Sequence, residues 1–143
     1  MAADTLRVEI VTPERAVFND VASQVVIPGT VGELGVLPGH LPLLTAIGVG
    51  DLAVHSGGQV RHFFIDGGYA EILPDRVAIL TENAEGFDEL DLAEARRQLE
   101  AAEQQVRKLE ERSRTEEVEA GVEARHHDAL ERARRRVLFA EQQ

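Results

Sequence analysis

The sequence predicts a compact all-β unit, a sandwich or barrel, followed by a helical hairpin. Two observations carry this. All five prolines and every glycine except Gly121 lie at or before Gly86, whereas Ala, Leu, Glu, Arg and Gln at helical spacing take over from Leu90. Gly and Pro punctuate short strands and turns, and uninterrupted stretches of good helix formers make helices. Short alternating segments also recur with turn signals about every 8–12 residues before that change, as in sandwiches and barrels. The expected division is residues 1–87 and 88–143.

Leu6–Val11 alternates apolar with charged residues and stops at Thr12-Pro13, as a half-buried strand does. Ala16–Phe18, Ser23–Ile27, Gly35–Leu37 and Thr45–Val49 are further short strands. Asp51–His55 and Gln59–Ile65 flank Ser56-Gly57-Gly58, a hairpin signal because glycine supplies the positive φ of tight turns. Tyr69–Leu73 and Arg76–Thr81 flank Pro74-Asp75, a second hairpin. Asn83–Glu89 is the expected linker. Asp91 and Glu94 have capping-box spacing, and Leu92, Ala95, Leu99, Ala102, Val106 and Leu109 then form one apolar stripe. The pattern fades over Glu110–Glu117, the expected turn. Val118, Val122, Ala129, Ala133, Val137 and Ala140 line a second helix, antiparallel to the first because the connection is short. Alanine-rich stripes bury little apolar area, which suits either a switching element or a permanent hairpin.

Composition excludes several functions. The formal net charge of -11 argues against nucleic-acid binding, which needs a basic footprint. Through Glu89 there are 4 Arg against 13 acidic residues; from Leu90 there are 11 Lys/Arg against 13. No cysteine is present, so disulfides, thiolate catalysis and Cys-based zinc sites are excluded. The most apolar stretch, Leu41–Gly50, is far short of the roughly 18 residues of a membrane span, so membrane contact is expected only through a partner. Lys108 is the sole lysine, so Gly32–Gly39 is no phosphate-binding P-loop. A two-residue Gly57-Gly58 turn would set His55 opposite Val60 and His62 opposite Ala53, diagonal neighbours on one face. Two histidines without an evident carboxylate make a poor metal site, and no metal is expected. His126-His127 reads as structural. Arg132 and Arg134–Arg136 form either a solvated face beside Glu131 and Asp128 or an anchor for an acidic partner.

Gly32-Glu33-Leu34-Gly35-Val36-Leu37-Pro38-Gly39-His40-Leu41-Pro42-Leu43-Leu44-Thr45 is a strand broken by glycine turns that presents apolar residues and a histidine at a module edge. It resembles the signature of the epsilon subunit of bacterial F-type ATP synthases. Leu6–Thr12, with Val11-Thr12-Pro13, resembles that family's opening strand, and Asp66-Gly67-Gly68-Tyr69-Ala70-Glu71 its Gly-Gly hairpin. The helical hairpin stands in the expected place, so the resemblance covers the whole chain.

The resemblance implies a β-sandwich of about ten strands followed by two antiparallel helices, in a subunit that is not itself catalytic. It implies a central-stalk role: docking to the gamma subunit and the c-ring, coupling proton- or sodium-driven rotation to ATP synthesis, on the cytoplasmic face of the bacterial plasma membrane. Glu33, Leu34, Gly35, His40, Leu41 and Pro42 fall at the implied rotor contact. The helices of this family lie folded or extend along gamma to meet an acidic region of the beta subunit, conditionally inhibiting hydrolysis. Arg132, Arg134, Arg135 and Arg136 are the implied contact. Some members bind ATP through Ile or Leu, Asp, two variable residues, then Arg-Ala. Here Leu90-Asp91-Leu92-Ala93-Glu94-Ala95 puts Glu94 in the place of that arginine. A carboxylate there repels phosphate, so no tightly bound cofactor is expected; weak regulatory ATP would fall to Asp91, Arg96, Arg97 and Arg125. The rival readings are a free-standing β-sandwich ligand module with a helical oligomerisation arm, and a metal enzyme using His55 and His62.

Overall fold

A computed structural model describes residues 4–142, and the chain divides into two compact units after Glu89. The first contains β1 (Leu6–Val11), β2 (Ala16–Ala22), β3 (Gln24–Pro28), β4 (Glu33–Val36), β5 (Leu43–Ser56), β6 (Gln59–Leu73), β7 (Arg76–Leu80) and β8 (Ala84–Gly86), then a 3-10 turn at Phe87–Glu89. The second contains α1 (Leu92–Ser113) and α2 (Ala120–Glu141).

Among the described residues there are eight strands, not ten, in one hydrogen-bonded path β2-β1-β7-β6-β5-β3-β4 with β8 on β6. The count differs because Thr45–Val49 and Asp51–His55 belong to one strand of 14 residues, β5, and Gln59–Ile65 and Tyr69–Leu73 to one of 15, β6. These two long strands serve both layers of the sandwich. Leu43–Ile47 pairs with Gly68–Ile72, which continues through β7 and β1 to β2. Asp51–Ser56 pairs with Gln59–Phe64, and β3 and β4 extend that layer on one side and β8 on the other.

The residues facing the core change parity where the strands cross. Phe63 and Ile65 point inward on β6, then Ala70 and Ile72; Ile47 points inward on β5, then Leu52 and Val54. Positive φ breaks the alternation, because it turns the chain about its own axis. Gly67 and Gly68 supply it, at φ 69° and 112°. At Gly68 the backbone also comes so close to Leu80 that an added Cβ would lie 2.0 Å from its carbonyl oxygen.

Leu6, Val8, Ile10, Val25, Ile27, Val77 and Ile79 complete the core. The Phe18 and Phe63 rings meet across the layers with centroids 5.3 Å apart. The Arg61 guanidinium lies over both rings, 5.3 and 5.7 Å from their centres, and closes that end of the core. Ser56 pairs with Gln59 across Gly57-Gly58, and Leu73 with Arg76 across Pro74-Asp75, so both hairpins form on the expected turns. The expected linker is instead structured: Ala84–Gly86 pairs with Phe63–Ile65 and buries Ala84.

In the helical unit, Asp91 caps α1, its Oδ1 accepting from the amides of Ala93 (2.9 Å) and Glu94 (3.3 Å). Glu94 does not return the capping-box bond; it accepts from Gln98 Nε2 at 3.4 Å. We expect Asp91→Ala to lower the stability of the helical unit by about 1 kcal/mol, read as a lower thermal midpoint of α1. Helix α1 runs to Ser113, into the first half of the expected turn. Val118 precedes α2, and Ala129 is exposed; Leu130 and half-buried His126 take the inward positions with Val137 and Ala140. The 3-4 spacing admits either phase at this point, and the larger Leu130 side chain wins the interface. Arg96 to Glu141 (3.1 Å) and Arg136 to Gln98 (2.6 Å) set the end of α2 beside the start of α1 and fix the pair as antiparallel.

Candidate functional site: two exposed apolar surfaces on the sandwich

Among the described residues, five of the ten exposed large apolar side chains lie between residues 31 and 44: Val31, Leu37, Leu41, Leu43 and Leu44. Val31 is 98% exposed, Leu41 79% and Leu44 69%. Scattered exposed leucines need no explanation, but this concentration on an acidic domain is a candidate interaction surface. Its backbone is well held. Gly39 donates to the Pro74 carbonyl (2.7 Å), His40 N donates to the Leu37 carbonyl (3.2 Å), and the His40 Nδ1 lies 2.6 Å from the Leu41 carbonyl.

Glu33, Leu34 and Gly35 lie on β4, the outermost strand of its layer. His40, Leu41 and Pro42 lie on the crossover that carries the chain from β4 to β5 in the other layer. Glu33 and Leu34 line an open groove of about 370 Å³ with Ile27, Val31, Leu43 and Ile47; Gly35, His40, Leu41 and Pro42 do not.

A second surface was not anticipated from sequence. Ala46, Tyr69, Leu80 and Val11 are register partners across β5, β6, β7 and β1, one row over four strands. Tyr69 is 59% exposed and Leu80 52%, and both line a broad depression with Thr12, Pro13 and Glu82. Leu44 lies on the same face, two residues along β5 from Ala46. The signal was present as the even-spaced Leu44 and Ala46 and the apolar Tyr69 and Leu80 at outward positions, but only the register aligns them.

The helical candidates are dispersed. Arg136 bonds Gln98, Arg135 pairs with Glu131 on its own helix at 3.1 Å, and Arg134 is exposed. Asp91 is committed to its cap and Arg96 to Glu141. Arg97 lies near the start of α1, whereas Arg125 lies near the start of α2, beside the far end of α1. At 1.5 Å per residue Arg125 lies about 20 Å from Arg97 along the helix pair, so Arg125 does not join the other three.

His55 opposes Val60 and His62 opposes Ala53, as the two-residue turn requires. The carboxylate that sequence reasoning did not identify is Asp51, whose Oδ2 lies 2.9 Å from the His62 Nδ1. No group of three such ligands converges among the described residues. Nor is any helix among them long and apolar enough to cross a membrane.

Comparison with known proteins bears on the fold and the family. Residues 5–87 match the family described as "ATP synthase, Delta/Epsilon chain, beta-sandwich domain". The chain is 38% identical over 138 residues to the ATP synthase epsilon chain of Geotalea daltonii, covering 96% of this chain and 95% of that one. It is 45% identical over 104 residues to the epsilon chain of Koribacter versatilis, covering 73% of each. Its fold is similar to a chain in the Euglena gracilis mitochondrial ATP synthase OSCP/F1/c-ring structure, with TM-score 0.76, 23% identity, and 100% of this chain and 84% of that one covered. It is also similar to a chain in the Tetrahymena thermophila mitochondrial ATP synthase central stalk/c-ring structure, with TM-score 0.64, 12% identity, and 98% and 99% covered. The family match over residues 5–87 and 38% identity over nearly the full length of a curated relative together establish that the chain belongs to the ATP synthase epsilon-chain family, whose members are non-catalytic subunits of that complex.

Proposed function

We propose that the sandwich docks in the central stalk of a bacterial F-type ATP synthase, against the gamma subunit and the c-ring, and helps couple ring rotation to ATP synthesis. The observation that carries this reading is the pair of exposed apolar surfaces, one at Val31–Leu44 and one along Ala46–Tyr69–Leu80–Val11, which adjoin at the first half of β5. Adjoining surfaces of different shape suit two neighbours held at once. On this reading the chain is peripheral, on the cytoplasmic face of the membrane, and reaches lipid only through its partners.

The helical unit is the regulatory arm. Arg132 and Arg134–Arg136 meet an acidic surface of the beta subunit, where charge sets orientation and salt sensitivity more than affinity. Arg134 is exposed for that contact, while Arg136 would exchange its bond to Gln98. ATP plays at most a weak part, because Asp91 serves the α1 cap and Arg125 stands apart from Arg96 and Arg97.

The test is ATP hydrolysis by the cognate α3β3γ assembly, alone, with the full chain, and with a chain ending at Glu89. Both chains are expected to bind, and only the full chain to slow hydrolysis severalfold, with the effect weakening as salt rises. Binding without slowing would remove the inhibitory role and leave the docking role. No binding by either chain would overturn the docking reading.

A further inference from the structure

We propose that a helix of the gamma subunit lies along the Ala46–Tyr69–Leu80–Val11 row, its apolar stripe flanked on both sides by Lys or Arg, and that Glu71 and Glu82 hold those two flanks. This rests on the docking reading above and specifies its occupant. The argument begins with what the row offers. β6 and β7 lie between β5 and β1 in the sheet, so their backbone groups are taken up by neighbouring strands and the face presents side chains alone. An added strand would find no backbone partner there. A helix meets such a face with its own N–H and C=O groups already paired. The row spans three strand spacings, about 14 Å, which is the length of roughly nine helical residues.

The charges beside the row stand on either side of it. Tyr69 and Glu71 point outward from β6 with buried Ala70 between them, and Leu80 and Glu82 do so around buried Thr81. β6 and β7 are antiparallel, with Tyr69 opposite Leu80 and Glu71 opposite Ala78. Glu71 is therefore on one side of the row and Glu82 on the other, where it lines the depression beside Tyr69 and Leu80. Two residues each way place them about 14 Å apart along the strands, which admits a helix about 10–12 Å across. The neighbouring charges are already committed: Arg76 pairs with Glu9 at 3.3 Å, and Arg7 donates to Asn19 at 2.7 Å. Glu71 and Glu82 are exposed and make no ion pair or side-chain hydrogen bond among the described residues. Each is available to a cation that a partner brings. Flanking charges of this kind set orientation and speed encounter, while the apolar centre excludes water. The unit around them, with 13 acidic residues against 4 Arg through Glu89, attracts the same basic partner at longer range.

The experiment is titration of the full chain with purified gamma subunit at low salt and again at about 1 M, where the Debye length falls to about 3 Å. Glu71→Gln and Glu82→Gln should each weaken binding about threefold to fivefold at low salt, and together about tenfold or more. At about 1 M salt the variants should bind within about twofold of the parent chain. Asp75→Asn removes a charge from the β6–β7 turn, away from the row, and should bind as the parent does at both salt concentrations. Amide hydrogen exchange of gamma, free and bound to the parent chain, reads the occupant: the added protection should fall on one helical stretch bearing Lys or Arg. A double variant that binds as Asp75→Asn does would overturn the role of the two carboxylates. Added protection confined to loops or strands of gamma would overturn the helix. Either result leaves the docking reading intact. Failure of the parent chain to bind gamma would instead overturn the docking reading, and this proposal with it.

Discussion

Gly68→Ala is expected to remove about 3–5 kcal/mol of folding stability from the sandwich, a large part of the 5–15 kcal/mol typical of whole domains. Two effects combine. At φ 112° an L side chain is strained, and the new methyl would lie 2.0 Å from the Leu80 carbonyl oxygen and 3.0 Å from its carbon. Both contacts are backbone on a neighbouring strand, so neither moves without disturbing the β6–β7 pairing. Gly58→Ala isolates the strain: φ there is also positive, at 79°, but nothing lies within 4 Å of the added carbon. That substitution should cost about 1 kcal/mol. Urea unfolding of the two variants measures the difference, and equal midpoints would mean that the approach to Leu80 contributes nothing.

The second large effect concerns binding rather than folding. Tyr69→Asp combined with Leu80→Lys should weaken docking to gamma by about 100-fold or more, as expected when central apolar anchors are lost. The residues are direct cross-strand partners, so opposite charges leave the pairing itself unstrained. Both are more than half exposed, and surface changes of this kind usually move stability by only about 0.5 kcal/mol. Calorimetric titration against gamma, with a thermal scan of each free chain, separates the two quantities. Undiminished binding would show that this row is not the docking face.

Much of the architecture was legible because local chemistry and tertiary structure agree. The compositional change near residue 87, the Gly57-Gly58 and Pro74-Asp75 turns, and the Asp91 cap each depend on neighbours in sequence, and each forms. The long strands were not legible as single elements. Periodicity is the signal for a strand, and it breaks at Gly48–Gly50 and Asp66–Gly68, where the inward face changes parity. Strand β8 was hidden because three residues carry no period; pairing with Phe63–Ile65 makes it a strand. Of the surfaces, the Val31–Leu44 segment was visible as a contiguous motif. The Tyr69–Leu80 row was not, because its members come from four strands and meet only through register. The carboxylate beside His62 escaped for the same reason: Asp51 is 11 residues away in sequence and a diagonal neighbour in the sheet.

The passage of β5 and β6 through both layers has a mechanical consequence. In a sandwich of separate sheets, a twisting load on one sheet reaches the other only by shear through interdigitated side chains, a soft connection. Here two covalent backbones, 14 and 15 residues long and hydrogen-bonded to each other on both sides of the glycine crossing, run from the Tyr69 row into the opposite layer. Torque applied at that outer face is carried in tension along continuous chain, and the domain behaves as a stiff washer rather than a slipping pair of plates.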